Sequence, residues 1–260
     1  MKYKSLYEFI ELKKEFQEYK GTLDQVLTDI VNILRKRSKS QLDYNKLAFQ
    51  SPRIIRALVD YKNNHPNNKE LLKLSQDGIK VALKIYKQYN NSRIKNDVLK
   101  LKEKIIRSGH TKVLKTKIQQ YRDFINLIAS KSELSQKAAR KLNKLVGSEK
   151  AIMLVIGHGA INVGMDVFLR FQELNGKNNL LFYPIRFSRT DFKKYEDLVP
   201  QLTPKEITYL QKQAIGRKII IYDENSYTGT TIKKVKKYLS KSVFSHQKIN
   251  VLYNINTKNL

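Results

Sequence analysis

The chain contains no cysteine, which excludes disulfides, thiolate metal sites and a cysteine nucleophile. Long apolar runs are missing too. Nothing approaches the roughly 20 residues that a membrane-spanning helix needs. The opening Met1-Lys2-Tyr3-Lys4-Ser5 lacks the apolar stretch of a secretory signal. These absences favour a cytoplasmic protein with no membrane partner. Carboxylates are scarce, 23 against 51 lysines and arginines, for a net charge of +28. Residues 1–150 hold 34 basic and 15 acidic residues (+19), and residues 151–260 hold 17 and 8 (+9). Such an excess favours polyanion partners, nucleic acid among them, and makes their binding depend on salt. Lysine far outnumbers arginine, however, and asparagine and isoleucine are abundant, as an A- and T-rich coding sequence produces. A solvated surface is the competing explanation.

A length of 260 residues suits one large or two small domains. Hydrophobic spacing divides the chain near residue 130. Residues 1–130 read as a basic, wholly α-helical domain. Ser5 to Glu8 fits a capping box, followed by Phe9, Leu12, Phe16 and Tyr19 on one face, with Gly21 as the stop. Thr22 to Gln25 caps a second helix carrying Val26, Leu27, Ile30, Val31 and Leu34. Ser51-Pro52 is an N-cap with proline at the first helical position, and Asn63 to Asn68 is a turn. Further helices carry Leu71 to Tyr86, span about 92–108, and carry Val113, Leu114, Ile118, Tyr121, Phe124 and Ile125.

Residues 131–260 alternate helix and strand, the pattern of an α/β domain with a parallel sheet. Ser132 to Val146 is a helix stopped by Gly147. Ile152 to Ile156 is a buried strand ending in Gly157-His158-Gly159-Ala160, and a helix through Val163, Val167, Leu169 and Phe171 follows. Leu180 to Tyr183 is a second strand. Thr203-Pro204-Lys205-Glu206 is a capping box that opens a short helix. Ile219 to Tyr222 is a third strand and Ile249 to Tyr253 a last one.

The third strand leads into the stretch with most chemistry. Asp223 and Glu224 close it with adjacent carboxylates. Thr228-Gly229-Thr230-Thr231 then opens a helix with Ile232, Val235, Tyr238 and Leu239 on its buried face. A small, hydroxyl-rich turn at a helix N-terminus presents N–H groups and the positive end of the helix dipole, an anion cradle that suits phosphate. Carboxylates just before it suit the hydroxyls of a phosphorylated sugar, or a metal bound to it. The plainer alternative is an ordinary strand–turn–helix crossover.

Hydrophobic strand, two acids, three variable residues (Asn225-Ser226-Tyr227), then Thr228-Gly229-Thr230-Thr231: this resembles the phosphoribosyl diphosphate (PRPP) motif of type I phosphoribosyltransferases. The resemblance covers 131–260 and implies a phosphoribosyltransferase-like fold. It implies PRPP contacts from Asp223, Glu224, Asn225, Ser226, Tyr227, Thr228, Gly229, Thr230 and Thr231. Gly157, His158, Gly159 and Ala160 stand where the family holds pyrophosphate. Mg²⁺ would be the cofactor, carried by PRPP rather than by direct protein ligands. The segment from Phe187 to Gly216 occupies the position of the family's mobile loop, and Arg186, Arg189, Lys193 and Lys194 are candidates to neutralise pyrophosphate.

The implied activity is transfer of phosphoribosyl to a nucleobase or other acceptor, with Asp223, Glu224 and Arg189 as catalytic residues. A homodimer is the expected assembly. The alternative is a non-catalytic sensor of PRPP or a nucleotide, whose basic helical domain binds nucleic acid or a protein. One departure stands out. Several purine-salvage members place an acid directly before the Thr-Gly, where this chain has Tyr227.

Overall fold

The computed structural model describes residues 6–9, 18–91, 93–120, 124–157, 159–187, 201–226, 229–245 and 247–256. The chain divides into two compact units, Met1–Leu127 and Ile128–Leu260.

The first unit is mainly helical. Its helices are α1 (Leu23–Arg35), α2 (Gln41–Asn63), α3 (Lys69–Gln88) and α4 (Ile94–Arg107). The capping box expected at Thr22 is formed: the Thr22 hydroxyl accepts from the Gln25 N–H at 3.3 Å, and Gln25 Oε1 accepts from the Thr22 N–H at 2.8 Å. The unit is not helical throughout. Tyr19–Thr22 is a strand, β1, paired antiparallel with β2 (Lys117–Gln120). Tyr19 and Gly21 therefore belong to a strand rather than to a helix and its stop, and Ile118 lies opposite Gly21. Residues 10–17 of the expected first helix lie outside the described residues, where Leu6–Phe9 is a 3-10 turn. A further 3-10 turn, Thr111–Lys115, takes the place of the helix expected from Val113.

Pro52 also departs from expectation. It sits inside α2, which begins eleven residues earlier on a Ser40–Asp43 capping box. The Ser51 hydroxyl donates to the Leu47 carbonyl at 2.6 Å, so Ser51 bonds back into the helix instead of capping a new one. Packing of Leu47, Ile54, Ile55 and Leu58, all buried, holds the helix together across the N–H that proline lacks.

The second unit opens with α6 (Ser132–Val146), which follows the short α5 (Phe124–Ala129) at the division between the units. It continues as β3 (Lys150–Ile156), α7 (Gly159–Asn175), β4 (Leu180–Ile185), α8 (Pro204–Ala214), β5 (Arg217–Asn225), α9 (Thr230–Ser242) and β6 (Ile249–Ile255). The four strands form a parallel sheet in the order β4-β3-β5-β6. This is an α/β architecture. Ile219, Ile220, Ile221 and Tyr222 are all fully buried, each isoleucine contributing about 1.5–3 kcal/mol by leaving water, and β5 accordingly lies inside the sheet. Pro184, which has no N–H to give a second neighbour, is on the edge strand β4.

Helices cover both faces. On one, α8 and α9 pack Leu210, Ala214, Val235 and Leu239 against Ile152, Leu154, Ile219 and Ile221. On the other, α7 comes so close that a β-carbon at Gly164 would stand 3.1 Å from Val155 and 3.3 Å from Tyr222. The expected Thr203 capping box opens α8, and Gly147, at φ +60°, ends α6.

Candidate functional site

The first strand of a parallel sheet can send its chain to either side, and here it does both. From β3 the chain passes through α7 to β4 on one side. It then returns through α8 to β5 on the other. A crevice opens outside the carboxyl ends of the strands where the order reverses, and ligands of such sheets bind there. β3 and β5 pair directly, with Val155 opposite Tyr222, so their ends are about 4.8 Å apart. Gly157 and Gly159 follow β3, while Asp223, Glu224, Asn225 and Ser226 finish or follow β5. The two stretches singled out in the sequence thus meet at one crevice.

Two helix N-termini flank it. A crossover helix runs antiparallel to its strands, so α7 and α9 both begin at this edge, one on each face of the sheet. Each brings the positive end of its dipole. α9 begins from Gly229, which holds φ +69° and, lacking a side chain, leaves the helix without a side-chain cap. Gly159 and Ala160, expected as loop, form the first turn of α7, and Ala160 is fully buried. Ala160 therefore presents no surface to the crevice, against the expectation that it lines the anion-binding loop.

Gly157 is fixed by the neighbouring strand. It holds φ +72°, its N–H donates to the Ile185 carbonyl at 2.9 Å, and a β-carbon there would lie 2.8 Å from the Phe187 oxygen. Just beyond, Gln201 N–H donates to the Arg186 carbonyl at 2.9 Å across an antiparallel bridge. Both stems of the segment 188–200 therefore leave from beside the β3 loop. His158, Arg189, Lys193, Lys194, Tyr227 and Thr228 lie outside the described residues.

The carboxylates do not end the strand as expected. β5 runs through Asn225, which pairs with Ile255, and Asp223 Oδ1 accepts from the Glu224 N–H at 3.0 Å. Side chains alternate along a strand, so the pleat sends Asp223 toward the α8–α9 face and Glu224 toward the α6–α7 face. Both are half-buried. They can approach a ligand at the strand end from two sides but do not form a joint two-carboxylate clamp. Among the described residues no three His, Asp or Glu side chains gather as a metal site. This donor set fits a hard cation such as Mg²⁺ only through one carboxylate at a time, the remaining oxygens coming from ligand phosphate and water.

Behind the site lies a polar network that the hydrophobic pattern concealed. Asn162, Asp166 and Arg170 recur every fourth residue on one buried stripe of α7. Arg170 Nε donates to Asp166 Oδ2 at 3.1 Å and Arg170 Nη2 to Ser132 Oγ at 2.9 Å, bracing α7 on the start of α6. The Tyr222 hydroxyl donates to Asn254 Oδ1 at 2.8 Å, and Asn254 Nδ2 to the Ala129 carbonyl at 2.8 Å. The residue before Asp223 is thereby held by β6. Polar residues at helical spacing within the apolar run 163–171 were the available signal.

Across β4, the Tyr183 hydroxyl donates to Glu206 Oε1 at 2.7 Å, and the Thr203 N–H donates to Glu206 Oε2 at 2.9 Å. Burial, reinforced by the Glu206 carboxylate, pushes the Tyr183 hydroxyl well above the usual tyrosine range. It stays a donor, anchoring the start of α8.

Comparison with protein-family models, curated proteins and solved structures found no match to this chain. Function rests on the site.

Proposed function

We propose that the second unit is a phosphoribosyltransferase-like domain that binds PRPP, or a related phosphoribosyl nucleotide, across the crevice between β3 and β5. The observation that carries this reading is the meeting of two glycine-bearing turns, each leading into a helix N-terminus, at the switch point of the sheet. PRPP has two separated phosphate groups joined by a ribose, and the crevice offers two separated anion cradles with carboxylates between. The turn at Gly229-Thr230-Thr231 takes the 5′-phosphate, and the turn at Gly157-Gly159 with the start of α7 takes the pyrophosphate. Asp223 and Glu224 accept hydrogen bonds from the ribose hydroxyls.

Mg²⁺, when bound with the pyrophosphate, would neutralise its charge. Either Asp223 or Glu224 would reach it. The protein's own part in transfer is positioning of C1′ against an acceptor and fixed dipoles at the departing pyrophosphate. Tyr227 rather than an acid stands directly before Thr228-Gly229, so no carboxylate at that position takes the proton of an incoming nucleophile.

Calorimetry with PRPP and Mg²⁺ on the wild type and on Asp223→Ala/Glu224→Ala tests binding. The reading expects binding by the wild type that weakens at least tenfold in the variant; equal affinity removes it. Pyrophosphate release with PRPP and a panel of nucleobases tests transfer. Binding without release from any base leaves a PRPP sensor in place of an enzyme.

A further inference from the structure

From Asn225 to Leu260 the chain has no aspartate or glutamate. Within that stretch α9 carries lysine at 233, 234, 236, 237 and 241. Helical spacing sorts its residues. Ile232, Val235 and Leu239 are buried, while Lys233, Lys236, Lys237 and Lys241 are exposed on the outward side. These four make no ion pair among the described residues. The adjoining α8 covers the same face of the sheet and adds the exposed Lys212. Its single carboxylate, Glu206, is buried beneath Tyr183 and Thr203.

The first unit is more cationic in total, yet its lysines are interleaved with carboxylates. Lys84 pairs with Asp97 at 2.8 Å, Lys36 with Asp43 at 2.6 Å, Lys102 with Asp24 at 2.5 Å, and Lys104 with Asp77. On α9, Lys233, Lys236, Lys237 and Lys241 have no carboxylate partner among the described residues. Lys233 and Lys237, and Lys237 and Lys241, are like charges four apart, which destabilises a helix. Lys233 also stands in the first turn, at the positive end of the dipole, where a cation is unfavourable. The arrangement works against α9 standing alone and becomes favourable against a polyanion.

We propose that the outward face of α9, with Lys212 of α8, binds the phosphodiester backbone of a nucleic acid. From Lys233 to Lys241 the helix rises about 12 Å. One strand of a duplex places a phosphate about every 3.4 Å along its axis, so the stripe matches about three phosphates. Lysines on a helix face read charge and not base edges, so the binding is sequence-independent. The nucleic-acid surface thus lies in the α/β unit, and not in the helical unit where total charge alone would put it. It stands on the charge of α9 and does not require the PRPP reading.

Fluorescence anisotropy with a short labelled DNA or RNA, single-stranded and duplex, on the full chain at several salt concentrations tests it. Lys233→Gln/Lys236→Gln/Lys237→Gln/Lys241→Gln is expected to bind at least tenfold more weakly at low salt. The slope of log affinity against log salt should fall by about three. The matching set of four arginines retains binding. Four glutamines at Lys69, Lys73, Lys87 and Lys100 of the first unit remove as much charge with little effect. Unchanged binding by the α9 variant, equal loss in the first-unit variant, or binding to anionic phospholipid vesicles in place of either nucleic acid overturns the proposal. PRPP calorimetry on the α9 variant separates the two readings, since Asp223 and Glu224 are intact there.

Discussion

Gly157 lies against the carbonyl oxygen of Phe187, with no room for a side chain: a β-carbon would stand 2.8 Å away. Gly229, the other glycine at the crevice, has the same left-handed backbone but open space, the nearest atom being Ser226 Oγ at 3.8 Å. Alanine at Gly229 should cost about 1–2 kcal/mol for its backbone conformation alone. Alanine at Gly157 should cost about 2–4 kcal/mol, strain and clash together. Urea unfolding measures both, and equal costs would contradict the Phe187 contact.

Tyr183→Phe removes a donor from the buried Glu206 carboxylate and should destabilise the second unit by about 1.5–3 kcal/mol. The pH dependence has a definite sign. The folded-state pKa of Tyr183 is raised, so its contribution is complete below the unfolded value near 10 and is lost as pH rises beyond it. Melting temperatures measured from neutral pH to about pH 11 should show the gap between wild type and Tyr183→Phe narrowing above about pH 10. A constant gap across that range would remove the hydrogen bond as the cause.

Asp43 is the opposite case. Burial pushes its carboxyl up, but the Lys36 ammonium at 2.6 Å and the Ser40 N–H and hydroxyl outweigh burial and lower it. Its stabilisation is therefore complete above the unfolded pKa near 3.9 and disappears as pH falls through the lower folded value. Asp43→Asn should cost about 1–2 kcal/mol at neutral pH. Acid titration of stability should show the difference closing below about pH 4.

Removing one partner of a buried ion pair leaves a charge without compensation. Arg170→Met should destabilise by about 3–5 kcal/mol, and Asp166→Leu/Arg170→Met should recover much of the loss. A double-mutant cycle by chemical denaturation gives the coupling. Additive losses would show that Asp166 and Arg170 act independently.

Local signals were legible wherever a few adjacent residues settle the structure. Thr22 with Gln25 and Thr203 with Glu206 close their capping boxes within four residues, and both helices begin there. The run Ile219 to Tyr222 is apolar on both faces and is a buried strand. Signals that required knowledge of distant residues were not legible. Ser51-Pro52 has the local form of a helix start, but the packing of α2 on either side carries the helix through it. Tyr19 and Ile118 have helical neighbours at the right spacing, yet they belong to strands that pair across nearly a hundred residues. Asp166, Arg170 and the half-buried Asn254 read as ordinary polar positions until the elements that bond them are brought together.

For the candidate site, the glycine turns at Gly157 and Gly229 and the carboxylates near the end of β5 were legible in the sequence, because glycine at positive φ and the last residues of a strand act over a few bonds. Strand order was not. That β5 returns to lie beside β3, joining both turns at one crevice, depends on which faces of four strands and four helices can be buried together. Alternation along β5 divided the two carboxylates between opposite faces, and the packing of α9 left Lys233, Lys236, Lys237 and Lys241 facing outward with no ion pair among the described residues. Chemistry was written locally; only the tertiary structure decided which pieces meet.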